Sequence, residues 1–220
     1  MSGKLRDIEE LLGCEKGNRI LIIGSGGTLK EEGQKVINLA RSSDVVTIGI
    51  NNMTGLMIPK YHLWTNFKRY KTFSSVIDPE SVLLLGKKLY KRLKNLATDS
   101  ICIDYIDRVK TPIVFRDNRI EGYFRTAGCL AIMIASLMKT SSIYIAGMDG
   151  YTLYSKSEIY SKKKNQHVYG SGFTDGTDWK TCRQKDKIVY QVLKDLREYG
   201  IEFSIITPTV FSDFYRDDVI

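Results

Sequence analysis

The sequence predicts an α/β fold: a single Rossmann-like domain over residues 1–220, with a mostly parallel sheet and helices on both faces. Three observations carry this. Short β-branched runs alternate with longer segments of helical spacing. The runs are apolar at nearly every position, as strands buried on both faces of a parallel sheet are. They end in glycine or small polar residues, where an open α/β sheet places its ligands.

Residues 1–15 carry Leu5, Ile8, Leu11 and Leu12 among charges, which predicts a helix and not a signal peptide. Residues 20–23 are a four-residue apolar run that enters Gly24, Ser25, Gly26, Gly27 and Thr28. Leu29, Val36, Ile37 and Ala40 then mark a helix over 29–41. Strand, glycine loop and helix form a phosphate cradle, because a helix N-terminus presents N–H groups and partial positive charge. Glycines that only turn the corner would look the same. The pattern excludes the dinucleotide fingerprint. Leu29 stands where the third glycine would fall, and the strand at 45–50 ends in Asn51-Asn52, not in the acid that holds an NAD ribose.

Residues 61–66 read as a third strand ending at Asn66, with His62 packed inside it, and residues 82–85 as a fourth. From Gly86, the residues Leu89, Leu93 and Leu96 form one face of a helix crowded by Lys87, Lys88, Lys91, Arg92 and Lys94. Such a helix packs on the sheet as a solvated face or lies on a membrane. Residues 101–106 and 113–115 read as strands. Arg125, Thr126, Ala127 and Gly128 open a helix over 129–138 that is apolar all round and therefore buried. The strand at 142–146 ends in Gly147, Asp149 and Tyr151. Residues 151–180 lack apolar periodicity and hold tyrosines, glycines and Lys162 to Lys164, which marks a candidate lid. A helix over 185–199, closed by Gly200, and a strand over 201–206 complete the chain.

Composition narrows the class. No apolar run is long enough to span a bilayer. Cys14, Cys102, Cys129 and Cys182 form no C-x-x-C pair and are expected as free thiols of a cytoplasmic protein. A net charge of +8 calls for an anionic partner, whether phosphorylated molecule, membrane surface or nucleic acid, and the basic segments match no nucleic-acid module.

The ordered motifs over residues 19–211 are similar to those of the bacterial sialyltransferases of glycosyltransferase family 42 and of related motility-accessory-factor-type domains. They are the glycine loop running into Thr28-Leu29-Lys30, Asn51, Asn66, Thr126-Ala127-Gly128, and Gly147-Met148-Asp149-Gly150-Tyr151. The resemblance implies a glycosyltransferase that uses a CMP-activated sugar, without metal or other cofactor, to build surface polysaccharide or glycan. Gly24, Ser25, Gly26, Gly27 and Thr28 would cradle phosphate and ribose, and Asn51 and Asn66 would face the phosphate or sugar. Thr126, Ala127 and Gly128 would contact the donor, and Gly147 and Asp149 would border cytosine and ribose. Tyr151, with Tyr154 or Tyr160, would bind the leaving phosphate, and the family arginine would be Arg125 or Arg119. The family's general-base histidine falls at Thr181, which leaves His167 as the candidate base, with Asp175 and Asp178 behind it. The implied partners are a nucleotide-sugar donor, a saccharide acceptor and a second copy of the chain, with no nucleic acid. A location in the cytoplasm or at a membrane surface follows. Two other readings stay open: a diphosphokinase-like enzyme on this fold, with magnesium at Asp104, Asp107 and Asp149, and a non-catalytic nucleotide- or glycan-binding module.

Overall fold

A computed structural model describes residues 5–53, 55–93, 99–153, 167–169 and 178–219. The strands of the main sheet are β1 (Leu5–Asp7), β2 (Arg19–Ile23), β3 (Val45–Ile50), β4 (Tyr61–Trp64), β5 (Val82–Gly86), β6 (Ser100–Ile103), β10 (Ser142–Ala146) and β11 (Ser204–Ile205). All pair in parallel, in the order β1-β6-β5-β4-β3-β2-β10-β11. A small second sheet holds β7 (Tyr105–Asp107), β8 (Val114–Arg116) and β9 (Arg119–Gly122). The helices are α1 (Leu29–Ala40), α2 (Phe67–Phe73), α3 (Lys87–Tyr90), α4 (Ala127–Leu137) and α5 (Trp179–Glu198). The fold is α/β and Rossmann-like.

The strand order puts a topological switch beside β2. From β2 the chain steps outward through β3, β4, β5 and β6, then returns across the sheet to β10 on the other side of β2. β2 is paired on both flanks, Ile23 lying opposite Gly49 of β3 and Ala146 of β10. Connections leave this point in opposite directions, so a crevice opens between the strand ends.

Alternation along the central strands builds a core on each face. Ile20, Ile22, Ile48, Leu63 and Leu84 pack against α4 and α5, where eight consecutive residues of α4 from Gly128 are buried. Leu21 and Ile23 face Leu29 and Val36 of α1. Trp64, Leu83 and Leu85 are covered by α2 and α3 through Tyr70, Phe73 and Leu89. The four cysteines are free thiols, and burial pushes the Cys129 thiol up to about 12.

Four expectations are corrected. Residues 5–11 are not an α-helix. Leu5–Asp7 forms the edge strand β1 on β6, and a 3-10 turn over Ile8–Leu11 buries Ile8 and Leu11. The basic helix from Gly86 is a single turn, Lys87–Tyr90. The strand expected over 101–106 is two strands in different sheets, because the chain leaves the parallel sheet after Ile103. The last helix starts at Trp179 and not at 185, and of the candidate lid 151–180 residues 154–166 and 170–177 lie outside the described residues. Asp178 caps this helix by accepting from Thr181 N at 2.9 Å. Among the described residues no helix is long and apolar enough to cross a membrane.

Candidate functional site

A cleft of about 440 Å³ lies at the C-terminal ends of β2, β3, β4 and β10, at the switch point. Of the residues singled out in the sequence, Gly24, Ser25, Gly26, Asn51, Asn66, Arg125, Thr126, Ala127, Gly128, Gly147, Asp149, Tyr151 and His167 line it. Segments far apart in the chain therefore share one cavity, and the two glycine-rich strand ends lie side by side at its wall. Gly27 and Thr28 are buried and outside the lining. Tyr154, Tyr160 and Asp175 lie outside the described residues.

The glycine loop is closed by contacts within the protein. Gly24 N donates to Ala146 O at 2.8 Å and Gly26 N to Gly147 O at 3.0 Å. Thr28 N donates to Asp149 Oδ2 at 2.9 Å, and Thr28 Oγ1 to Asp149 Oδ1 at 2.6 Å. The Asp149 carboxylate, 3% exposed, thus takes the position at the α1 N-terminus where a phosphate was expected. Close approach demands glycine here. A Cβ on Gly26 would lie 2.3 Å from Asp149 Oδ1, and one on Gly24 would lie 2.5 Å from Gly147 O. The expectation that Gly27 and Thr28 cradle the phosphate is corrected for this reason. Gly24, Ser25 and Gly26 line the cleft as a wall without bulky side chains.

Arg125, Arg69 and Lys185 also line the cleft, from the turn before α4, from α2 and from α5. Lys185 Nζ lies 5.1 Å from the centre of the Tyr151 ring. Burial pushes the Tyr151 phenol up, and the Arg125 and Arg69 guanidiniums pull against it. Arg125 has φ +60, a strained left-handed conformation directly before the α4 N-cap. Thr126 forms that cap, Oγ1 accepting from Cys129 N at 3.2 Å, so the positive end of α4 faces the cleft. Arg119, the other candidate arginine, pairs with Asp104 at 3.0 Å and lies outside the lining.

The asparagines differ. Asn66 caps α2, Oδ1 accepting from Arg69 N at 3.0 Å, and so aims the first turn that carries Arg69 into the cleft. Asn51 has φ +54 and is 9% exposed, and its Oδ1 has no hydrogen-bond partner among the described residues. His62 holds the Asn51 backbone, Nε2–H donating to the Asn51 carbonyl at 2.5 Å. Burial pushes the His62 imidazole down, so it stays neutral as a packed residue.

His167 joins the wall by a different route. It forms an isolated antiparallel bridge with Gly26, and Val168 N donates to Ser25 O at 2.9 Å. Its ring stacks on Tyr169 with centroids 4.8 Å apart. Thr181 is exposed in the first turn of α5, where Oγ1 donates to Asp178 Oδ2 at 2.6 Å. Neither Thr181 nor Asp178 lines the cleft. Of the carboxylates weighed for magnesium, only Asp149 lines it. Asp104 pairs with Lys87 at 2.6 Å, and Asp107 accepts from Phe124 N at 3.0 Å. Among the described residues no three His, Cys, Asp or Glu side chains gather as metal ligands.

Arg69 and Lys185 were missed in the sequence. The signal for Arg69 was Asn66 as an N-cap, and that for Lys185 was its place one helical turn after Thr181. No protein-family model matches the chain, and no curated protein matches it in sequence.

Proposed function

We propose that the chain is a metal-independent glycosyltransferase that takes a CMP-activated sugar and passes the sugar to a saccharide acceptor, in surface polysaccharide or glycan assembly. The observation that carries this reading is the gathering of Asn51, the α4 N-terminus, Tyr151 and two or more cations around one cleft at the switch point. In the displacement, the acceptor oxygen bonds to the anomeric carbon as the bond from that carbon to the phosphate oxygen breaks. The acceptor's proton goes to His167, since imidazole takes a proton near neutral pH. The electron pair leaves with CMP, and Arg125, Lys185 and the α4 N-terminus, which line the cleft, would meet its phosphate charge.

A thermal-shift series with CMP, CDP, CTP, UDP, GDP and ATP, with and without magnesium, tests the donor class. Cytidine nucleotides are expected to raise the midpoint equally in both conditions, and NAD, added as a seventh compound, is expected to leave it unchanged. Stabilisation only by a triphosphate with magnesium would move the protein to the diphosphokinase-like class. The exposed, cap-bound Thr181 favours a non-catalytic module as the second reading. CMP binding without transfer from any CMP-sugar would select it.

A further inference from the structure

Two neighbouring segments account for most of the net positive charge of this chain. Residues 67–77 and 86–93 hold seven Lys and Arg and no Asp or Glu, while the whole chain has a net charge of +8. The other residues are therefore balanced to within one charge. The two segments belong to α2 and α3, which cover the same apolar cluster of Trp64, Leu83, Leu85 and Leu89. With Tyr70, Phe73 and Leu93 turned toward that cluster, Lys68, Lys71, Lys88, Lys91 and Arg92 are exposed. The segments meet where the Arg92 guanidinium lies 5.4 Å from the centre of the Phe67 ring. Lys87 is held by Asp104. Two large apolar side chains stand among the cations, Phe67 at 36% and Val76 at 42% exposed.

We propose that the α2–α3 face docks on a bilayer containing anionic lipid. Basic side chains near such a surface gain from its negative potential, lysine stems lie along apolar surface, and exposed Phe and Val enter the headgroup region. The interleaved apolar side chains favour lipid over nucleic acid. So does the form of the face: α2 has seven residues and α3 four, each resting on the sheet, and neither projects as a groove-reading element. Docking here puts the cleft next to the membrane, because the first turn of α2 carries Asn66 and Arg69 into its wall. The proposal is independent of which ligand the cleft takes.

Vesicle flotation of the full chain tests it, with phosphatidylcholine alone and mixed with phosphatidylglycerol. Binding is expected only to the anionic vesicles and is expected to weaken with salt. Loss of each exposed lysine should weaken partitioning about fivefold, so K71Q/K88Q/K91Q should lose roughly a hundredfold. F67S should weaken it further. The control K30Q/K35Q/K194Q removes the same charge from exposed positions on α1 and α5 and should bind as the wild type does. Circular dichroism and the melting midpoint check that each variant folds. Equal loss in the control set, or no binding to anionic vesicles, would overturn the proposal. So would retention of an oligonucleotide, abolished by K71Q/K88Q/K91Q, by a protein that ignores vesicles.

Discussion

At the N-terminal end of the sheet, Glu15 is 3% exposed and accepts from Lys60 Nζ at 2.7 Å, Tyr61 Oη at 2.6 Å and Asn18 Nδ2 at 3.0 Å. At the C-terminal end, Asn51 is 9% exposed and its Oδ1 meets nothing among the described residues, while Arg125 and Lys185 stand beside Tyr151. The first arrangement satisfies a buried charge and ties the loop before β2 to β4. Among the described residues, the second leaves an acceptor bare and brings Arg69, Arg125 and Lys185 to a wall that holds one carboxylate, Asp149. A buried polar group without a partner costs free energy in the folded chain, and a ligand that bonded Asn51 Oδ1 would offset that cost. One end of the sheet is closed on itself, and the other is the end at which the proposed function puts its ligand.

The largest effect that sharpens this contrast is kinetic. His167→Ala should lower turnover roughly 10²–10⁴-fold with donor affinity little changed, as for loss of a general base. Steady-state kinetics alongside calorimetry with CMP check it, and full activity would reduce His167 to a wall residue. Next, R125Q/K185Q should weaken CMP binding by at least about 100-fold, since each of the two hydrogen bonds to a charged group is worth about 1.5–3 kcal/mol. Its melting midpoint should hold, because both side chains reach into the cleft. A drop in stability without loss of affinity would break the assignment of the two ends.

The opposite outcome is expected at the other end. Glu15→Gln should destabilise the fold by about 1–3 kcal/mol and leave CMP affinity alone. Burial pushes the Glu15 carboxyl up, but the bonds from Lys60, Tyr61 and Asn18 outweigh it and hold it below the usual carboxylate range. Its contribution is therefore complete above the ordinary carboxylate pKa of about 4.3 and is lost as pH falls through the lowered value. Denaturation curves of the wild type and E15Q should converge as the solution is acidified. The smallest effect concerns His62. Its folded imidazole titrates lower than the ordinary value near 6.5, so below that pH the unfolded chain binds the extra proton and stability declines. His62→Gln should remove that slope between about pH 6.5 and the lowered folded value. An unchanged slope would place the proton elsewhere.

The sheet was legible because its strands announce themselves locally. Arg19–Ile23 and Val82–Gly86 are nearly continuous apolar runs, and they lie in the interior of the sheet as such runs should. Elements with weak local signals were not legible. Leu5–Asp7 has three residues, and β11 has two, where the sequence suggested six. α2 has no buried residue, so no apolar stripe marked it, and only its Asn66 cap gave it away. For the cleft, the strand-end residues were legible and the chemistry of the loop was not. Thr28 looks like a phosphate ligand in any strand–glycine–helix motif. Here it is bound to a carboxylate 121 residues away.

By itself the sequence determined the fold class, the central strands, the buried helix α4 and the strand ends that border the cleft. These follow from periodicity and burial, which are written into neighbouring residues. Tertiary structure alone decided which polar groups at that edge stay open. The pairing of Asp149 with Thr28 closes the α1 N-terminus, and the meeting of α2, α5 and the turn before α4 brings Arg69, Lys185 and Arg125 to one cleft. Such contacts join segments far apart in the chain, and a long-range hydrogen bond or a convergence of charges leaves no period in the sequence.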